Sequence, residues 1–117
     1  MTPARGNLYA DLRPDAAAER IERLIALPHS NEDGVTIERI VSMGQASPDG
    51  FWYDDPRDEW VLLLAGAAAL CIEGDANALT LAPGDYVHLP AHCRHRVAWT
   101  DPHAPTVWLA VYFPAVR

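Results

Sequence analysis

Apolar and polar positions follow two different rhythms along the chain, and the change comes near Gly34. Before it, Ile21, Leu24, Ile25 and Leu27 recur at the three- and four-residue spacing of a helical stripe. Pro14 suits a first helical turn, Asp15 and Glu19 favour the positive end of a helix dipole, and Pro28 ends the run. The spacing therefore predicts one helix over residues 14–27. Residues 29–34, HSNEDG, read as a turn. After Gly34 the pattern becomes short β-branched and apolar runs over 35–42, 59–64, 67–73, 78–81, 86–89, 95–100 and 106–113, separated by Gly, Pro, Asp and Asn. Short strands at this spacing predict an all-β sandwich or barrel. The organisation expected is an N-terminal extension with one helix, residues 1–33, followed by a barrel domain, residues 34–117.

The faces of the predicted strands add a constraint. In 59–64 one face carries Glu59, Val61 and Leu63, and the other Trp60, Leu62 and Leu64. In 106–113 one face carries Val107, Leu109 and Val111, and the other Trp108, Ala110 and Tyr112. A strand with one wet face alternates apolar with polar, and these do not. Something must cover the outside, either the N-terminal helix or a second subunit, and the expectation is a homodimer.

Charge and composition narrow the partners. The 117 residues make one domain, and the formal net charge of -7 with no basic run excludes a nucleic-acid footprint. Arg5, Asp11 and Arg13 interrupt the N-terminus, so it does not read as a signal peptide, and no uncharged run is long enough to span a bilayer. Cys71 and Cys93 are too few for a disulfide framework. The expectation is a cytoplasmic protein with no membrane contact.

Two segments concentrate chemistry. GFWYDDPRDEWVLLLAG brings Asp54, Asp55, Asp58 and Glu59 close together, and PGDYVHLPAHCRHRV brings His88, His92 and His95. Carboxylates and imidazoles together suit an N/O metal site for Zn, Fe, Mn, Ni or Cu. Each residue also has a plainer reading. The acids could be a solvated loop, Asp58 could pair with Arg57, and His95, on a face with Val97 and Trp99, could be a core residue. Glu59, leading an apolar face, needs a partner if buried, and metal or Arg96 could supply it. Tyr53, Trp52, Trp99, Trp108 and Tyr112 could line a pocket or simply pack. Cys93, two residues before His95, makes a Cys–His nucleophile conceivable, but no third orienting residue is evident. Nucleophile-elbow, phosphate-loop and dinucleotide signatures are missing.

These two segments resemble the paired motifs of the cupins, G-x5-H-x-H-x3/4-E-x6-G and G-x5-P-x-G-x2-H-x3-N. Glu59 with Gly66 reproduces the end of the first, and Gly84, Pro90 and His95 reproduce the second, with His92 at the Gly position and Trp99 at the Asn position. The resemblance runs from about Val35 to Phe113. The histidine pair of the first motif is missing: a four-residue spacer puts Trp52 and Asp54 there, a three-residue spacer Tyr53 and Asp55. The resemblance implies a double-stranded β-helix (jelly-roll) barrel with one divalent metal on Glu59 and His95, and Asp54 (or Asp55) and His92 as substitutes. Zn, Mn, Fe or Ni would suit that set. Losing the histidine pair inclines it toward zinc and away from oxygen activation. The function so implied is a metal-dependent enzyme on a small polar molecule, or alternatively a non-catalytic small-ligand binding or sensor module.

Overall fold

Eight strands build two antiparallel sheets in the computed structural model, which describes residues 1–26 and 34–115. The strands are β1 (Arg20–Ala26), β2 (Thr36–Ser42), β3 (Asp58–Ala65), β4 (Ala68–Ile72), β5 (Leu79–Leu81), β6 (Tyr86–Leu89), β7 (His95–Thr100) and β8 (Thr106–Phe113). One sheet runs β1-β2-β8-β3-β6 and the other β5-β4-β7. The alternation read after Gly34 thus places every strand of the second rhythm. No helix among the described residues is long and apolar enough to cross a membrane.

The predicted helix does not form. Residues 20–26 are instead the edge strand β1, pairing antiparallel with β2 from Arg20 opposite Val41 to Ala26 opposite Thr36. Leu27, Pro28 and residues 29–33 of the expected turn lie outside the described residues. A β-bulge between Arg23 and Ile25 explains the misleading spacing. Before the bulge Ile21 faces the space between the sheets. After it Leu24 and Ile25 both sit with Glu22 and Arg39 on the outer side. One extra residue in a strand mimics a helical interval. Helix propensity is a weak prior, and the open edge of β2 offers a full ladder of hydrogen bonds instead.

Val61, Leu63, Ala68, Leu70, Leu81, Leu89, Trp108 and Ala110 form the buried cluster between the sheets. Each fully buried leucine contributes about 2 kcal/mol. Trp108 donates its indole N–H to Ser42 Oγ at 3.2 Å, so its polar end is satisfied inside the core. Gly66, at the β3–β4 turn, has φ +88° and lies against Thr106. A Cβ there would sit 2.6 Å from the Thr106 Cα, so only glycine fits.

The outer face of the five-stranded sheet is covered in part by an extended N-terminal segment. Arg39, buried on that face, donates to the carbonyls of Leu8, Ala10 and Asp11 and to Glu22 at 2.9 Å. The Tyr9 hydroxyl donates to the Leu64 carbonyl at 3.3 Å. Part of the cover expected from a helix or a second subunit is supplied here by a strap of backbone acceptors fixed on one guanidinium.

Candidate functional site

His95 opens β7 with its side chain between the sheets, 7 % exposed, and Glu59 reaches it from β3, 12 % exposed. Glu59 Oε1 lies 3.3 Å from His95 Nε2. The opposite ring nitrogen, Nδ1, lies 2.8 Å from the Cys93 carbonyl oxygen. Glu59 therefore has His95, and not Arg96, as its partner; Arg96 donates outward to the carbonyls of Ser47 and Pro48. Burial pulls the His95 pKa down, but the Glu59 contact and the Cys93 carbonyl outweigh it and leave the imidazole above its ordinary value.

Tyr53 completes this corner. It forms an isolated bridge to His95, donating its N–H to the His95 carbonyl at 2.7 Å and accepting the His95 N–H at 3.2 Å. Its ring stacks on the imidazole at 5.3 Å and 24°. The loop before β3 is thus sewn onto the free edge of β7. Of the two motif spacers, the structure follows the three-residue one at this point: Tyr53 points in, while Trp52 lies out beneath the Arg94 guanidinium.

A cavity of about 90 Å³ opens beside the pair. Its polar wall consists of Glu19, Glu38, Glu59 and His95, and its aromatic wall of Tyr53, Trp108 and Tyr112. Burial raises Glu38 above the carboxylate range; Arg23 opposes the shift, Glu59 and Asp55 add to it, and Arg57 opposes it. Burial likewise raises Glu19, with Glu38 adding to it. Burial and then Glu59 push the Tyr112 phenol far above its usual range, so it stays protonated as a donor. A second cavity of about 300 Å³, sharing Glu19, Tyr53 and Val97 and bordered by Gln45 and Ser47, adjoins the first.

The four residues expected to share a metal separate into two pairs. Glu59 and His95 meet in the cavity, whereas Asp54 and His92 meet at the surface, Oδ1 to Nδ1 2.7 Å, with side chains 45 % and 68 % exposed. His92 has φ +61°, the left-handed conformation that explains glycine at this point of the motif. That turn, closed by Cys93 N–H to the Pro90 carbonyl, directs the His92 ring away from the cavity lining. Asp55 is bound to Arg57. Asp58 pairs not with Arg57 but with His88 at 2.7 Å, and accepts the Ala91 N–H at 2.9 Å. The hydrogen bond from His88 holds the Asp58 carboxyl below the usual range, against the opposing effect of burial. Among the described residues, no three His, Cys, Asp or Glu side chains are grouped so as to hold a metal ion.

Trp99 also departs from expectation. A bulge between its partner Ala69 and Leu70 turns it outward, 47 % exposed, while Val97 stays on the inner side with His95. Glu19 and Glu38 are wall residues that the sequence did not single out, whereas Tyr53 was among the aromatics expected to line a pocket or pack. Nothing local marked either glutamate.

A family model described as Cupin domain matches residues 40–112. A Ralstonia eutropha JMP134 protein provisionally assigned as a mannose-6-phosphate isomerase is 52 % identical, with TM-score 0.87 over 97 % of this chain and 100 % of that one. A Cupin 2 conserved barrel domain protein from Salinispora arenicola CNS-205 is 26 % identical, with TM-score 0.64 over 98 % and 91 %. A DMSP lyase from Ruegeria pomeroyi DSS-3 shares the fold, at 24 % identity and TM-score 0.57, over 81 % of this chain and 46 % of the lyase. No curated protein matches the sequence.

Proposed function

The chain belongs to the cupin family, and on that footing we propose that it binds a small polar molecule between its sheets and exchanges a proton with it through Glu59 and His95. The observation that carries this reading is the proton the pair must hold. His95 Nδ1 faces a carbonyl, which only accepts, so Nδ1 keeps its hydrogen. Nε2 then faces the Glu59 carboxylate, a contact that is favourable only with a second proton between them. A buried imidazole–carboxylate pair with one shared proton at the edge of a cavity is a general acid, and after donation a general base. The neutral Tyr112 hydroxyl adds a fixed donor on the same wall.

Zinc, manganese, iron or nickel would find the right donor types in Glu59 and His95. Catalytic zinc sites carry three protein ligands, however, and these two already face each other. As arranged the two residues do not make up such a site. The provisional sugar-phosphate assignment of the Ralstonia relative does not transfer readily either, because among the described residues no arginine lines the cavity.

A panel of small metabolites tested by thermal shift on wild type and His95→Gln addresses the proposal. The expected result is a ligand that raises the wild-type melting temperature, loses that effect in the variant, and is converted in a proton-NMR time course. A ligand that stabilises both proteins equally overturns the proposal. Binding without conversion selects the sensor reading, which the mutual satisfaction of Glu59 and His95 favours. Elemental analysis showing about one metal per chain, lost in Glu59→Ala, selects the metal-dependent enzyme. A homodimer is proposed on the exposed Leu24 and Ile25 on the outer side of β1, and light scattering should read a dimer mass.

A further inference from the structure

The cavity wall holds three carboxylates, Glu19, Glu38 and Glu59, against a single cationic group, the His95 imidazole. The chain contains no lysine, and among the described residues no arginine lines the cavity. Arg57 is bound to Asp55 and Thr36 Oγ1 and lies 4.9 Å from the centre of the Tyr112 ring, and Arg39 is held by the N-terminal strap on the outer face. Arg23 approaches Glu38 only to 3.8 Å and keeps 65 % of its side chain in solvent. The wall is thus short of positive charge in a space where charge is poorly solvated, and the raised Glu19 and Glu38 are consistent with that shortage. The rest of the wall is apolar, part aromatic from Tyr53, Trp108 and Tyr112 and part aliphatic from side chains such as Ile40, Val61 and Leu70.

Carboxylates combined with π faces recognise a cation whose charge is spread over carbon-bound hydrogens or methyl groups. A bare metal ion gains little from the rings and needs convergent donors that the described residues do not assemble. An anion would meet three like charges. Resting on the pocket reading above, we infer that the ligand is a small organic cation carrying an ammonium group. The ammonium sits against Glu38 and Glu59, and an uncharged remainder extends past Glu19 and Tyr53 into the adjoining cavity, beside Gln45 and Ser47.

Calorimetric titration of the full chain with ethylammonium, ethanolamine and choline tests this, with 3,3-dimethylbutan-1-ol as the uncharged isostere of choline. Inorganic phosphate, mannose 6-phosphate and zinc complete the panel. The expected result is that at least one ammonium binds, and that choline, if it is that one, binds about tenfold tighter than its isostere. Glu38→Gln and Glu59→Gln should each weaken the ammonium about tenfold. Asp75→Asn, in an exposed turn, should leave it unchanged, and melting curves confirm that each variant is folded. The inference is overturned if the isostere binds as well as choline, if a phosphate or zinc binds in place of the ammonium, or if no ammonium binds. An isostere or phosphate whose binding is lost in His95→Gln would overturn the cation while leaving the pocket reading intact. Binding by nothing in the panel would count against both.

Discussion

Two of the protein's imidazole–carboxylate pairs have nearly the same composition and histidines three residues apart, yet they differ in almost every physical respect. Glu59–His95 lies between the sheets with about a tenth of each side chain exposed. Asp54–His92 lies on the surface with about half of each in water, although its 2.7 Å separation is the shorter of the two. Distance alone would rank the surface pair first. Solvent reverses the order, because an exposed ion pair is screened and entropically costly while a buried one has no water to fall back on. Proximity in sequence also hides a turn: left-handed backbone at His92 separates the two rings onto opposite sides of the loop.

The largest expected effect is on stability. Glu59→Ala leaves an imidazole without its counter-charge in a dry site and should lower the unfolding free energy by about 3 kcal/mol in urea titrations. Asp54→Ala should cost less than about 0.5 kcal/mol. Comparable losses from the two would break the contrast. A double-mutant cycle sharpens it, with a coupling of about 1.5 kcal/mol expected for Glu59 with His95 and about 0.3 kcal/mol for Asp54 with His92.

A smaller effect is expected from pH. The folded His95 pKa lies above the ordinary value near 6.5, so the folded state binds the proton more tightly than the unfolded chain. The stabilisation from this group is fully present below the ordinary histidine range and is lost as pH rises through the folded value. Stability of the wild type should therefore fall on moving from weakly acid to alkaline solution, and His95→Gln should flatten that fall. NMR titration of the His95 ring protons should show its midpoint displaced upward. A midpoint below the ordinary value would mean that burial, not Glu59, governs the site.

The smallest effect is expected at His92. His92→Gly relieves about 1 kcal/mol of left-handed strain but loosens the unfolded chain by a similar amount. Unfolding free energy should stay within about 0.5 kcal/mol of wild type, with ligand binding unchanged. A tenfold loss of affinity would return His92 to the site.

The strands after Gly34 were legible because alternation repeats at a fixed spacing and turns carry their own residues. Glu59 and His95 were legible through motif spacing, which encodes where two strands meet. Three errors share one cause, an inserted or left-handed residue that changes which way the chain faces. The bulge in β1 imitated a helical stripe, the bulge opposite Ala69 turned Trp99 outward, and the positive φ at His92 aimed its ring at solvent. Periodicity assumes that the backbone keeps step, and none of these residues announces that it does not. Glu19 and Glu38 were missed for a different reason. Each is an ordinary glutamate in its own segment and becomes a wall only when β1 and β2 pair across the cavity mouth.

β1 is attached to the molecule through β2 alone, and every one of its side chains is exposed. Strands held by one neighbour and little burial open first, so its amides should exchange with deuterium well before those of β3 or β8. Glu19 immediately precedes this strand, and Ile21 within it lines the cavity. Each time β1 frays, two wall residues leave together and the chamber stands open on that side. Bound ligand touching those residues should therefore slow the exchange of the β1 amides.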